Sequence, residues 1–177
     1  MKQVLSARRM KLVAVPLGIW LAMAFPALTA AATVSQSYAI TGYEYYATTT
    51  QGRFAGTAVG SAADTAAWNA VVNHTPLTTT ATITGGSADL ATSNLVTLHG
   101  LFSGGTVTQT SGFSGCTNQT YEIAGSLKPV SRSDSNRRGK GTFTATLTHY
   151  RASVLGACVV YSANVRGVIN LAFTPGG

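Results

Sequence analysis

All three histidines of the chain, His74, His99 and His149, lie beyond its first thirty-two residues, and with Glu44 they are the side chains best suited to chemistry. Imidazole titrates near neutral pH and ligates metals, so three histidines converging inside one fold would make a metal site or an acid/base cluster. They fall on separate stretches without metal-ligand spacing, and the favoured reading is isolated, hydrogen-bonded histidines with no bound metal or cofactor. Carboxylates are scarce: Glu44, Asp64, Asp89, Glu122 and Asp134. Glycosidase chemistry needs two of them facing across a cleft, and Glu44 with Glu122 is the one pair on expected strand bodies. Glu44 stands between Tyr43 and Tyr45; buried there, it would be a general acid, whereas a solvent-facing glutamate is more common. Nucleophilic hydrolysis has little support. The frame Gly112-Phe113-Ser114-Gly115-Cys116 ends in cysteine where a nucleophile elbow has glycine, and Asp64-Thr65-Ala66 lacks the glycine of an aspartic-protease loop.

Aromatic residues offer the second kind of site. Tyr43, Tyr45, Trp68 and Phe143 are expected to line an apolar pocket for a small apolar or carbohydrate ligand, although such residues more often fill cores. The polar stretch Ser131 to Gly141 carries Arg132, Arg137, Arg138 and Lys140 against Asp134, reads as a hairpin tip, and could meet an anionic glycan or lipid surface. No aromatic platform is interleaved with those charges, which argues against nucleic acid. Asn73-His74-Thr75 and Asn118-Gln119-Thr120 match the glycosylation sequon, relevant only in a eukaryotic secretory route.

The elements that must carry these residues are strands. Hydrophobic residues make up 45% of the chain and charged residues only 10%, with Thr, Gly, Ser and Ala abundant, a balance that disfavours amphipathic helices. Apolar residues recur at every second position. In Gly141 to Arg151, Phe143, Ala145, Leu147 and His149 share one face while Thr142, Thr144, Thr146 and Thr148 share the other. Trp68, Ala70, Val72 and His74 align in the same way. Nine or ten strands are expected, with a turn or bulge at Gly85-Gly86, a turn at Ser103-Gly104-Gly105 and a final strand from Cys158 to Phe173 that bends or splits near Gly167. The fold class is all-β: an antiparallel β-barrel first, a β-sandwich second. Residues 33–177 form a single domain.

The amino terminus reads as an export signal. Lys2, Arg8, Arg9 and Lys11 precede an apolar run from Leu12 to Ala27, and small residues follow, so cleavage is expected after Ala30 or Ala32, within residues 1–32. The formal net charge of +7 owes much to this segment. Without its four cations, eight cations against five carboxylates leave +3. No later stretch would span a membrane as a helix. Cys116 and Cys158 are the only cysteines, and in a secreted, extracellular or periplasmic setting they are expected to form one disulfide.

Gly52-Arg53-Phe54-Ala55-Gly56-Thr57-Ala58-Val59-Gly60, with Ile83-Thr84-Gly85-Gly86 further on, resembles the glycine-punctuated strands of dirigent and allene-oxide-cyclase-like barrels. The resemblance covers about a tenth of the chain beyond residue 32, and the two motifs stand here in the reverse of the family order. It implies a small antiparallel barrel that guides or cyclises hydrophobic substrates, and assigns no catalytic residue. The leading functional expectation is a secreted, non-catalytic barrel that binds a small ligand or acts at the cell surface. The runner-up is an isomerase, cyclase or hydrolase using Glu44, His74, His99 or His149, and the third a structural or interaction protein with a filled barrel.

Overall fold

The computed structural model describes residues 33–61, 64–93, 97–130 and 138–174. Eight strands follow one another: β1 (Val34–Ala47), β2 (Gln51–Gly60), β3 (Thr65–His74), β4 (Thr80–Thr92), β5 (Thr97–Ser111), β6 (Gln119–Val130), β7 (Arg138–Val154) and β8 (Ala157–Thr174). Each pairs antiparallel with the next, and β8 pairs with β1, which closes an up-and-down barrel. Closure leaves no free edge along the barrel wall.

The pairing register sets the tilt. Stepping across paired residues from Thr120 on β6, through Thr148, Asn164 and Tyr43, then Ala55, Asn69, Asp89 and His99, returns to β6 at Val130, ten residues farther along. A stagger of that size over eight strands inclines them by about 40° to the axis and leaves an interior that side chains fill or that holds one small ligand.

Alternation places the apolar set inside. Trp68, Phe54, Phe143, Ile40, Leu90, Ile123 and Ile169 are fully buried. Trp68 stacks obliquely on Phe143 with ring centroids 6.1 Å apart, and Phe102 meets Phe143 edge-on at 5.5 Å. The indole Nε1 donates to the Thr41 carbonyl oxygen at 3.0 Å, which satisfies its one polar atom. These rings plug the middle of the barrel. The outer wall carries Thr41, Thr82, Thr106, Thr142, Thr144, Thr146, Glu122 and Arg166 in exposed positions, the reverse of the apolar-out pattern of membrane barrels. No helix among the described residues is long and apolar enough to cross a membrane.

One expected turn is not a turn. Ser103-Gly104-Gly105 lies inside β5, where Gly104 and Gly105 take φ of 144° and 140° and the register to β6 shifts. A Cβ on Gly105 would stand 2.1 Å from the Ala124 carbonyl oxygen, so glycine lets a long strand coil around the barrel without breaking. Gly85-Gly86, expected as a turn or a bulge, lies within β4 beside a register shift to β3 between Asn73 and His74, and β8 runs unbroken through Gly167. Expected breaks are bends, which is why eight strands do the work of the nine or ten read from sequence.

Cys116, in the β5–β6 loop, bonds Cys158 at the start of β8, with Sγ atoms 2.08 Å and Cα atoms 5.5 Å apart. A persistent disulfide fits an oxidising compartment. The expected export segment, 1–32, and Arg132 and Arg137 of the basic stretch lie outside the described residues. Arg138 opens β7, and Lys140 is exposed on the outer wall near the barrel end opposite the β5–β6 loop.

Candidate functional site

At the end formed by the β1–β2, β3–β4 and β5–β6 loops, the interior opens into a cavity of about 370 Å³. Phe54, Val72, Leu77, Val107, Ile123 and Leu147 give it apolar walls, Glu44, His74, Tyr121 and His149 supply polar groups within it, and Thr48, Thr49 and Gln51 add others from the β1–β2 turn. Few convergent polar groups in an apolar cleft of this size describe a small-molecule site.

Glu44 faces inward because Tyr38 and Ile40 do, at the same parity on β1. Its Oε2 lies 2.6 Å from His149 Nε2, with the two side chains only 7% and 16% exposed. The pair spans a single small residue. Ala163 of β8 is the register partner of His149 and lies one step from Asn164, the partner of Tyr43. Its short side chain leaves room for a carboxylate from one flanking strand to meet an imidazole from the other. Gly52 completes the seat: a Cβ there would meet Glu44 Oε1 at 2.7 Å and Phe54 Cζ at 2.8 Å. With Oε2 taken by His149, Oε1 is left on the cavity wall above Gly52.

Tyr121 holds the other flank. Its ring meets His149 edge-on at 5.1 Å, and its hydroxyl donates to Gln119 Oε1 at 2.9 Å. Burial pushes the Tyr121 phenol above its usual range; Arg151 opposes that push and the Glu44 carboxylate adds to it. The hydroxyl therefore stays protonated as a donor at neutral pH. His74 lines the same cavity, with its Nδ1 2.7 Å from the Thr75 carbonyl oxygen. Nδ1 donates in that contact, since a carbonyl oxygen can only accept.

The other expected site residues go elsewhere. His99 is on the outer wall, where it is hydrogen-bonded to Asp89, its register partner on β4. Asp89 and His99 both alternate outward from the buried Ala88, Leu90 and Phe102, which keeps them out of the cavity. Glu122 is outward and exposed on β6, so it does not face Glu44. Tyr43 and Tyr45 point outward and are half-exposed, edge to face with each other; a bulge between Glu44 and Tyr46 turns Tyr46 outward as well, beneath the Arg53 guanidinium. Trp68 and Phe143 are in the packed middle. None of these four expected lining residues reaches the cavity. Among the described residues no group of three or more His, Cys, Asp or Glu side chains is placed to hold a metal ion.

Residues that sequence reasoning passed over include Tyr121 and Gly52. Tyr121 shares inward parity with Ile123, a signal that was available; the need for Gly52 depends on where Glu44 folds, which alternation does not encode. Comparison of the chain with protein-family models, with curated proteins and with solved structures finds no match.

Proposed function

We propose that this protein binds a small, mostly apolar molecule in the end cavity, with the molecule's polar group against Glu44 and His149. The observation that carries the reading is the apolar cleft with one hydrogen-bonding corner. A carbohydrate fits it less well, because sugars want many polar partners, whereas most of the wall is apolar, and Tyr43 and Tyr45 are on the outer wall. The resemblance to barrels that guide hydrophobic substrates points the same way, and an exported, oxidised barrel is suited to carrying such a molecule outside the cytoplasm. Titration with the uncharged dye N-phenyl-1-naphthylamine tests it. A saturable rise in fluorescence that is lost in Val107→Phe, which fills the cleft, supports the reading; no rise with the folded protein sinks it.

The Glu44–His149 contact favours a second reading, acid/base chemistry on the bound molecule. A carboxylate held at one oxygen and bare at the other, on an apolar wall, is placed to take a proton from a substrate carbon, with His149 fixing its orientation. Native mass spectrometry can identify the retained molecule. Its deuteration in D2O by the wild type but not by Glu44→Gln would establish turnover, and equal rates in both would leave binding alone.

A further inference from the structure

β7 and β8 outrun the barrel. β6 follows β7 only as far as His149, and β1 follows β8 only as far as Asn164, whereas β7 and β8 stay paired out to Val154 and Ala157. The segment from Tyr150 to Ser162 is therefore a two-stranded ribbon projecting past the rim at the cavity end. An isolated ribbon is marginal in water. This one is held at its base by the Arg151 amide donating to Asn118 Oδ1 at 3.1 Å and the Arg151 guanidinium donating to the Gly115 carbonyl at 3.4 Å, and nearer its apex by the Cys116–Cys158 disulfide, since Cys158 pairs with Ser153 one step from the Val154–Ala157 pair.

Its surface is apolar where water would be expected. Leu155, at the apex in a left-handed turn with φ of 51°, is fully exposed, and Val154, Val159, Val160 and Tyr161 are exposed beside it. Val159 and Val160 are consecutive and so face opposite sides of the ribbon. A flat partner, including a second copy of this chain, covers one side of such a projection. A fluid apolar medium covers both sides and the apex together.

We infer that the ribbon is a membrane-insertion device: its apex enters the interfacial layer of a lipid bilayer, and the cavity mouth is thereby presented to the membrane. Charge fits that occupant. The ribbon and the three loops of this end hold one formally charged residue, Arg151, and no carboxylate. Arg151 is next to Tyr150, whose ring is 6.4 Å from that of Tyr161, so a cation and two tyrosines form a collar at the ribbon's base. From that collar to Val154 is about 13 Å of strand, which places the apex at acyl depth and the collar among the headgroup phosphates, the level that tyrosine and arginine favour. Only the apical turn, Val154 to Ala157, passes below the level of the disulfide, and the unpaired edges between it and the collar stay within reach of interfacial water.

Sedimentation with sucrose-loaded phosphatidylcholine vesicles at high salt tests the inference, because high salt suppresses any contact through the chain's basic residues. The purified, oxidised protein is expected to partition onto these vesicles, and Leu155→Glu to lose at least about tenfold of the partition coefficient, as burying one leucine implies. In Leu155→Trp, the new indole is expected to shift its emission to the blue on vesicle addition. Absence of vesicle binding, unchanged partition of Leu155→Glu, or an unshifted indole would overturn it. So would a dimer in sedimentation equilibrium that Leu155→Glu dissociates, since that would assign the ribbon to a second copy. Dye binding in the cavity is read separately and is unaffected by any of these outcomes.

Discussion

Glu44 and His149 are 105 positions apart in the chain, yet they meet at 2.6 Å across the short side chain of Ala163 on the strand between them. The contact depends on barrel closure, because β1 and β8, the ends of the described chain, become neighbours only when the sheet joins itself. It also sets the polarity of the cavity, as the one ionisable pair on its wall that is bonded within itself.

Replacing His149 by alanine leaves a nearly buried carboxylate without its partner, with an expected cost of about 1–3 kcal/mol. The same change in a Glu44→Gln background is expected to cost less. Urea denaturation of the four proteins of this double-mutant cycle measures the coupling, and strict additivity would show that the contact contributes nothing.

Gly52→Ala puts a methyl group where Glu44 Oε1 and the Phe54 ring already stand. The carboxylate or the ring must shift, at an expected cost of about 1–3 kcal/mol. Weaker dye binding than in the wild type is the second expected result, measured by the same fluorescence titration, and unchanged affinity and stability would mean the wall is soft.

Removing the cross-link by Cys116→Ser with Cys158→Ser releases a closed loop with a sequence separation of 42. Loop-closure entropy predicts a loss of about 4 kcal/mol. Because the disulfide also pins the projecting ribbon, amide exchange is expected to accelerate first in residues 150–162. Uniform acceleration over the whole barrel would show that the ribbon has no separate dependence on it.

Alkaline pH separates the seven tyrosines. Burial raises the Tyr38 phenol, with Asp64 adding to the effect, and burial raises Tyr121. A tyrosine raised on folding contributes stability that is complete below the unfolded value of about 10 and is lost as pH climbs through the folded value. Phenolate absorbance at rising pH should therefore show two late tyrosines, ionising together with loss of the fold. Seven equivalent titrations before any unfolding would contradict the burial of these two rings.

Much of the architecture was legible because alternation is a local property. The faces of β3 and β7 follow from Trp68-x-Ala70-x-Val72 and Phe143-x-Ala145-x-Leu147, and the inward side of His149 comes with them. Parity left Glu44 ambiguous, since it depends on whether Tyr43 and Tyr45 or Ile40 define the inner face of β1. The strand count was overestimated because glycine pairs mark turns and strand bends alike in a one-dimensional reading, and only the neighbouring strand distinguishes them.

The sequence alone determined that side chains alternate sides, that the interior is apolar, and that two cysteines are available for one cross-link, because these depend on residue type and on a period of two. Tertiary structure decided which distant residues share a row. Closure with its ten-residue stagger brought Glu44 beside His149, sent His99 to Asp89 on the outer wall, and packed Trp68 against Phe143 in the middle, with the cavity beside Glu44 at one end. The reason is geometric: register and closure couple every strand to all the others, and no short stretch of chain carries that information by itself.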